Sequence, residues 1–482
     1  MVFSDLFFLF VFIPAFALCY VVASLIDRKR RSDSTFSKCL VRNIVTVAFS
    51  FIFYGWGEPI YVFLMLLCVF LNYLSGLGID RYEGKSRKRA LVVGLASNIL
   101  ILGIFKYAGL LAESLNNVGI PVPIPNIALP IGISFYIFQS ISYLVDVYRK
   151  DAPVQRKFGN LLLYISMFPQ LVAGPIVRYD TIAREIQDRH TSIKDINDGI
   201  YRFLIGLAKK VIFANQFGEI ADQFLANGLN NLSTAGAWIG IMAYAFQIYF
   251  DFSGYSDMAI GMGRCMGFHF NENFNHPYCG NSITDFWRRW YISLGSFFRD
   301  YVYIPLGGNR RHQTLNILIV WALTGLWHGA SWTFMLWGLY FGLILVLEKY
   351  TIVRFIDRIP RIVLHIYTIT LITLSWGIFY FDNLSDMGKF FESFFGGGTA
   401  IANIAEESAF WGNFWLWVAG LIFIIPTRKF IEEKTSLLLQ NNQSALAYVG
   451  LTSRIVVSLL ILITSIALLV GATNNAFIYT RF

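Results

Sequence analysis

Long stretches of this sequence carry almost no charge, and such stretches can only be buried in protein or surrounded by lipid. Residues 3–25 hold one charge, Asp5, near their start, and residues 90–111 hold one, Lys106. Residues 455–472 hold none between Arg454 and the polar Thr473-Asn474-Asn475. A helix needs about 20 apolar residues to cross a hydrocarbon core. Counting every run of this kind predicts roughly eleven transmembrane helices. The chain is 56% hydrophobic and 14% charged over 482 residues, with mean hydropathy +0.55, whereas a soluble domain carries about 25% charged residues. The expectation is an all-α polytopic membrane protein, a single membrane domain over residues 1–482. The first apolar run lacks a basic leader and is followed by further spans, so it reads as a first transmembrane helix, not a cleaved signal.

The net charge of +9 does not point to nucleic acid, because the basic residues sit in short loops between apolar runs. Arg28, Lys29, Arg30 and Arg31 form one cluster, and Lys85, Arg87, Lys88 and Arg89 another, two runs later. Between the next pair of runs, residues 116–126 have no Lys or Arg but hold Pro121, Pro123 and Pro125. Arg149-Lys150 and Arg156-Lys157 then return to the basic side. This alternation follows the positive-inside rule and puts the N-terminus outside. Arg428, Lys429 and Lys434 mark a further cytoplasmic loop. One span follows, so the C-terminus is also expected outside. The five cysteines show no CxxC spacing and imply neither a disulfide framework nor a zinc site.

Between about 151 and 311 the apolar runs shorten and are broken by Pro, Gly and charge: Phe168-Pro169-Gln170, Ala173-Gly174-Pro175, Asp251-Phe252-Ser253-Gly254. Irregular or charged backbone at membrane depth is tolerated only inside protein or beside a water-filled cavity. Asp251, Asp257, Asp285, Arg288, Arg289, Arg299 and Asp300 must therefore pair or face water. In Thr284-Asp285-Phe286-Trp287-Arg288-Arg289-Trp290-Tyr291, a helix brings Asp285 to both arginines at i+3 and i+4. The spacing fits an interfacial amphipathic helix and a buried site equally well, and both hold if the helix lines the mouth of a cavity.

The second constellation is Leu326-Trp327-His328-Gly329-Ala330-Ser331-Trp332. The preceding apolar run, 315–326, spans only roughly 18 Å as a helix, so His328 sits at a break between two apolar segments. A histidine there is either packed and hydrogen-bonded between helices or a general base. His269, Glu272 and His276 could touch one metal ion, but Pro277 and the Asn-rich spacing indicate a loop, and no metal site is expected. His190, His312 and His365 are weaker candidates.

At these residues the sequence resembles the membrane-bound O-acyltransferase (MBOAT) superfamily, and within it the bacterial alginate-O-acetylation (AlgI-like) branch. The resemblance runs through Tyr249-Phe250-Asp251-Phe252-Ser253-Gly254-Tyr255-Ser256-Asp257-Met258-Ala259-Ile260-Gly261, Asn273-Phe274-Asn275-His276-Pro277-Tyr278 and Asp285-Phe286-Trp287-Arg288-Arg289-Trp290. It continues in Phe298-Arg299-Asp300-Tyr301-Val302-Tyr303-Ile304-Pro305-Leu306-Gly307-Gly308 and Gly325-Leu326-Trp327-His328-Gly329. These motifs lie between about 130 and 340. The resemblance implies a ring of helices around a thinned core, with re-entrant and interfacial helices and a funnel reaching the catalytic histidine, here His328. It also implies an acyl thioester such as acetyl-CoA as donor, with no bound cofactor. An extracytoplasmic SGNH-type or AlgX/AlgJ-like acetyltransferase is the implied partner, in the bacterial inner membrane.

Two positions refine that expectation. Tyr291 stands where the family carries a second histidine. A phenol with pKa about 10 cannot serve as a base at neutral pH, so Tyr291 becomes a substrate-binding candidate. Trp327 and Asn273 are candidates to position the thioester, and Arg288, Arg289 and Arg299 to meet donor phosphates. The tail Phe477-Ile478-Tyr479-Thr480-Arg481-Phe482 resembles the aromatic tail of the same branch, which makes Tyr479 a candidate acyl relay. Two other readings stay open: a D-alanyl or longer-acyl transferase of the superfamily, and a transporter or flippase, since transporters also place broken, charged helices at membrane depth.

Overall fold

A computed structural model describes residues 1–30, 38–351, 355–427, 443–471 and 477–478. Every regular element among them is helical. A π-turn, Phe8–Phe12, leads into α1 (Ile13–Lys29); α2 (Leu40–Gly55) and α3 (Tyr61–Arg81) follow. A π-helical turn, Gly103–Tyr107, joins α4 (Gly84–Leu102) to α5 (Ala108–Asn117), and α6 (Ile133–Arg149) closes the first group. The middle of the chain breaks into short helices: α7 (Phe158–Ser166), α8 (Phe168–Leu171) and α9 (Tyr179–Gln187). Then come α10 (Ile193–Ala208), a π-turn Lys209–Ala214, α11 (Asn215–Ala221) and the long α12 (Thr234–Cys265). Two short helices, α13 (Ile283–Arg289) and α14 (Ile292–Phe298), precede α15 (Gln313–His328), α16 (Trp332–Tyr350) and α17 (Arg361–Tyr380). Four more complete the set: α18 (Leu384–Glu392), α19 (Ile404–Gly412), α20 (Phe414–Ile424) and α21 (Gln443–Gly471).

Among the described residues, six helices have the length and composition to cross a membrane: Phe8–Lys29, Tyr61–Arg81, Gly84–Asn117, Trp332–Tyr350, Arg361–Tyr380 and Gly450–Gly471. Leu40–Gly55 and Phe414–Ile424 are apolar but shorter. The larger number expected from the sequence counts every apolar run, including these shorter ones. The six carry their apolar side chains outward: Leu18, Phe63, Val93, Leu343, Ile362 and Ile463 are all exposed. In water such a surface would be far beyond the few hundred Å² that monomers leave exposed; facing lipid, it needs no other partner.

The interior is organised by α12. Every residue from Ile248 to Gly263 is buried, although this stretch contains two aspartates. Its backbone lies directly against α10. A Cβ on Gly206 would stand 2.5 Å from the Gly254 carbonyl oxygen, and one on Gly261 2.5 Å from that of Gly199. No larger residue fits at these crossings. The aspartates are neutralised from the same side: Asp257 by Lys209 and Arg202, each at 2.6 Å, and Asp251 by Lys210 at 2.6 Å. Pairing, one of the two outcomes the sequence demanded of these charges, is how both are accommodated.

The N-terminal group is fastened to this centre by Arg189. Its guanidinium donates to the Tyr20 hydroxyl and the Met266 carbonyl, both at 3.1 Å, and to Asn43 Oδ1 at 2.6 Å. The break between α7 and α8 falls where Pro169 stands at the start of the new helix and Met167 turns to ψ 115°. Proline has no N–H to continue the preceding helix but suits a first turn.

Candidate active site

His328 is the last residue of α15; Gly329 follows in extended backbone, φ −167°. The hairpin from α15 to α16 is very tight. A Cβ on Gly325 would collide with the Phe334 carbonyl, and one on Gly329 with the Phe334 ring. The imidazole, 9% exposed, is enclosed edge-on by the rings of Trp327 at 4.7 Å, Trp337 at 4.9 Å and Phe379 at 5.0 Å between centroids. A small cavity opens onto it. Ile248 and Phe252 of α12 form one wall, Trp290 and Tyr291 between α13 and α14 another, and Trp337, Trp376 and Phe379 close it. Among the lining residues, His328 supplies the imidazole, a side chain able to act as a base.

Two indole N–H groups next to His328, those of Trp327 and Trp337, have no hydrogen-bond partner among the described residues. Trp376 differs: its N–H donates to the Tyr278 hydroxyl at 3.1 Å, which in turn donates to the Ala245 carbonyl at 2.7 Å. Buried donors are nearly always paired, so an orphan indole on the wall of a cavity is a group available to a ligand. Trp337 escaped the sequence reading, since one tryptophan in an aromatic-rich helix gives no signal until its N–H is located.

Tyr291 reaches the cavity by an unusual backbone. It adopts φ 46°, ψ 56°, the left-handed region that a bulky residue seldom occupies. Asn273 holds this corner from behind. Wholly buried, it accepts from the Ser293 N–H at 3.1 Å and the Ser293 hydroxyl at 2.9 Å, while its own amide donates to Ser256 at 3.0 Å. Asn273 is thus committed to joining the Tyr291 turn to α12 and lies outside the cavity lining. Beneath the turn, Glu348 at the end of α16 is fully buried. Its carboxylate accepts from the Ile283 and Thr284 N–H groups at 2.7 and 2.8 Å and from the Thr284 hydroxyl at 2.5 Å.

The three arginines do not gather at one place. Arg288 is exposed, and Arg289 pairs with Asp285 at 2.9 Å, the i+4 contact. Arg299 pairs with Asp300 at 2.7 Å, and Arg178 reaches the same carboxylate at 2.5 Å. Burial raises the Asp300 pKa, but Arg299 and Arg178 outweigh it and hold the carboxyl below the usual range. Arg149 joins them through the Asp300 carbonyl at 3.0 Å, a basic cluster the sequence did not assemble. His269, Glu272 and His276 turn to three different partners: Glu185 at 2.7 Å, Arg202 at 2.6 Å and the Ile424 carbonyl at 2.8 Å.

Of the tail, Phe477 and Ile478 lie in the core against α12. Phe477 and Ile478 are 1% and 5% exposed. The Ile478 N–H donates to Asp251 Oδ2 at 2.8 Å, and the Lys210 ammonium sits 4.4 Å from the Phe477 ring centroid. Tyr479 lies outside the described residues.

One residue in the first group was noted in the sequence only as a lone charge. Lys106, 9% exposed, donates to the Trp327 carbonyl, and Tyr107 donates to the Leu326 carbonyl at 2.9 Å. A lysine at membrane depth costs about 2.5–3.5 kcal/mol. That penalty was the signal that could have marked it.

A model of the membrane-bound O-acyltransferase family matches residues 49–361, which takes in α3 to α16 and with them His328 and the motifs around the cavity. The chain belongs to the membrane-bound O-acyltransferase family. Within it the chain is similar to a protein from Pseudomonas aeruginosa described as a probable alginate O-acetylase, AlgI. The two are 39% identical over 409 residues, 83% of this chain and 76% of that one. A peptidoglycan O-acetyltransferase of Helicobacter pylori is 32% identical over 85% of this chain and 82% of its own length. A teichoic acid D-alanyltransferase of Bacillus subtilis is 28% identical over only 45% of this chain and 58% of its own. This protein is therefore an AlgI-like MBOAT acyltransferase, a multi-pass membrane enzyme of the O-acetyltransferase kind.

Proposed function

We propose that this MBOAT enzyme takes an acetyl group from acetyl-CoA on the cytoplasmic side and passes it across the bacterial inner membrane for O-acetylation of an extracytoplasmic polysaccharide. The observation that carries the reading is His328, enclosed at a helix end in an aromatic cavity walled on one side by α12, the helix that also holds Ile478 through Asp251. In the reaction, His328 accepts the proton of the attacking hydroxyl, that of Tyr479 or of a partner. The hydroxyl oxygen bonds to the thioester carbonyl carbon, the C–S bond breaks, and the proton passes to the departing thiolate to give free CoA. The Trp337 indole N–H offers a donor to the thioester carbonyl, with Trp327 packed against the imidazole, Tyr291 lining the cavity and Asn273 fixing its turn. Arg299, with Arg288 and Arg289 farther out, meets the CoA phosphates.

The similarity to a probable alginate O-acetylase and to a peptidoglycan O-acetyltransferase over 83% and 85% of this chain favours acetyl over a long acyl chain. The helices would form a ring of about eleven spans around a thinned core, with both termini outside. The acceptor would be served by a separate SGNH-type or AlgX/AlgJ-like transferase. In the test, His328→Ala is introduced into cells whose surface-polysaccharide acetylation is measured, at equal protein level in the membrane. Normal acetylation would sink the proposal. Release of free CoA from labelled acetyl-CoA by the purified wild-type protein separates this reading from a transporter.

A further inference from the structure

Lys106 takes no part in the chemistry proposed above, yet it is buried against the backbone of the catalytic histidine's helix. The last carbonyls of an α-helix have no partner within it. At the end of α15 the Gly325 carbonyl receives only a long contact from the Gly329 N–H, 3.4 Å. The next two carbonyls, of Leu326 and Trp327, are both satisfied from another span, by Tyr107 and Lys106. These two donors are consecutive residues at the end of the π-helical turn Gly103–Tyr107, where the helix widens; π-turns of this kind recur at functional sites. A cation at a helix C-terminus also answers the negative end of the helix dipole. The Lys106 Nζ further lies 5.9 Å from the centroid of the Trp327 ring, which packs against the imidazole.

We propose that Lys106, seconded by Tyr107, is a positioning residue for His328: its ammonium holds the Trp327 carbonyl and so fixes the backbone from which the imidazole projects into the cavity. The inference rests on His328 being the catalytic base. Hydrogen bonds to two successive peptide groups remove the freedom of a helix end to fray just where the hairpin begins. The sequence needs a charge here, in a span that otherwise has none from residue 90 to residue 111, because an ammonium is the stronger donor to a carbonyl in a dry interior.

The experiment measures CoA release from acetyl-CoA by the full chain in lipid nanodiscs, per mole of folded protein, for Lys106→Met, Lys106→Arg, Tyr107→Phe and His328→Ala. A displaced catalytic group costs about 10²-fold in rate, so Lys106→Met is expected to lose kcat by about that factor while KM for acetyl-CoA stays within about twofold. A merely structural role would lower the yield or the melting temperature and leave kcat per folded molecule unchanged. Recovery of kcat in Lys106→Arg, which keeps a cationic donor, supports the proposal. Lys106→Met with kcat within about threefold of wild type overturns it, as does a rise in KM at unchanged kcat. Should Lys106→Met not fold, Tyr107→Phe decides: a loss of about tenfold in kcat at unchanged melting temperature supports the clamp, and wild-type kcat overturns it. Activity retained by His328→Ala would instead remove the reading on which the inference stands.

Discussion

In the proposed reaction His328 is the base, and its surroundings set what each neighbour can contribute. General-base catalysis is worth about 10²–10⁴-fold, so His328→Ala should lower the rate of CoA release by at least that range while the protein still inserts. Trp337→Phe keeps the apolar wall but removes the unpartnered indole N–H. If that donor meets the thioester oxygen as its charge develops, kcat should fall about 10²-fold with little change in KM, read from steady-state kinetics on the purified enzyme. Trp376→Phe is the control, because its N–H is already held by Tyr278 and its loss should be felt in thermal stability more than in rate. The sequence pointed to His328 through its position between two apolar runs and the motif around it. It could not reveal Trp337, whose indole N–H has no partner among the described residues, and although the lone charge marked Lys106, the carbonyl it holds lies 221 positions away. Tyr291 was legible as a departure from the family pattern, but its left-handed backbone was not. Nothing local in Trp290-Tyr291-Ile292 demands a positive φ; the Asn273 hydrogen bonds to Ser293 impose it.

Among the elements, α12 was the least legible as a helix crossing the interior. Its aspartates depress the hydropathy that marks a span, and only their pairing with Arg202, Lys209 and Lys210 explains how it is buried on all sides. The crossing with α10 depends on Gly206 and Gly254. Gly206→Val should therefore overpack it and destabilise the protein by about 1–3 kcal/mol, seen as a lower melting temperature in detergent. The Asp251–Lys210 pair has a second duty, since one carboxylate oxygen holds Lys210 and the other holds the tail at Ile478. Asp251→Ala removes the carboxylate that the buried Lys210 ammonium meets at 2.6 Å, a loss of about 3–5 kcal/mol. Protease susceptibility of the tail should rise with it, measured by mass spectrometry after brief digestion. The tail was legible in the sequence as an aromatic signature, whereas the burial of Phe477 and Ile478 against α12 was not, because hydrophobic side chains there fit an interfacial anchor as readily.

For the molecule as a whole, membrane embedding could be read from composition alone, and the family from ordered motifs. The number of crossings could not, since short and broken helices inside the fold look like short spans in a hydropathy profile. Orientation rests on the basic loops. In a variant lacking the five native cysteines, none of them in a disulfide, Ser86→Cys should react with an impermeant maleimide in inverted vesicles only, and Asn117→Cys in intact cells only. The opposite pattern would reverse the assignment of both faces. Glu348 ties distant parts of this architecture together. Helix α16 begins four residues after His328, and at its other end Glu348 grips the start of α13, the segment that leads to Trp290 and Tyr291. Two walls of the cavity thus hang on one strut. For anyone recombining relatives of this enzyme, residues 283–348 form an indivisible cassette: a crossover inside that interval would join a histidine from one parent to a facing wall cut for another.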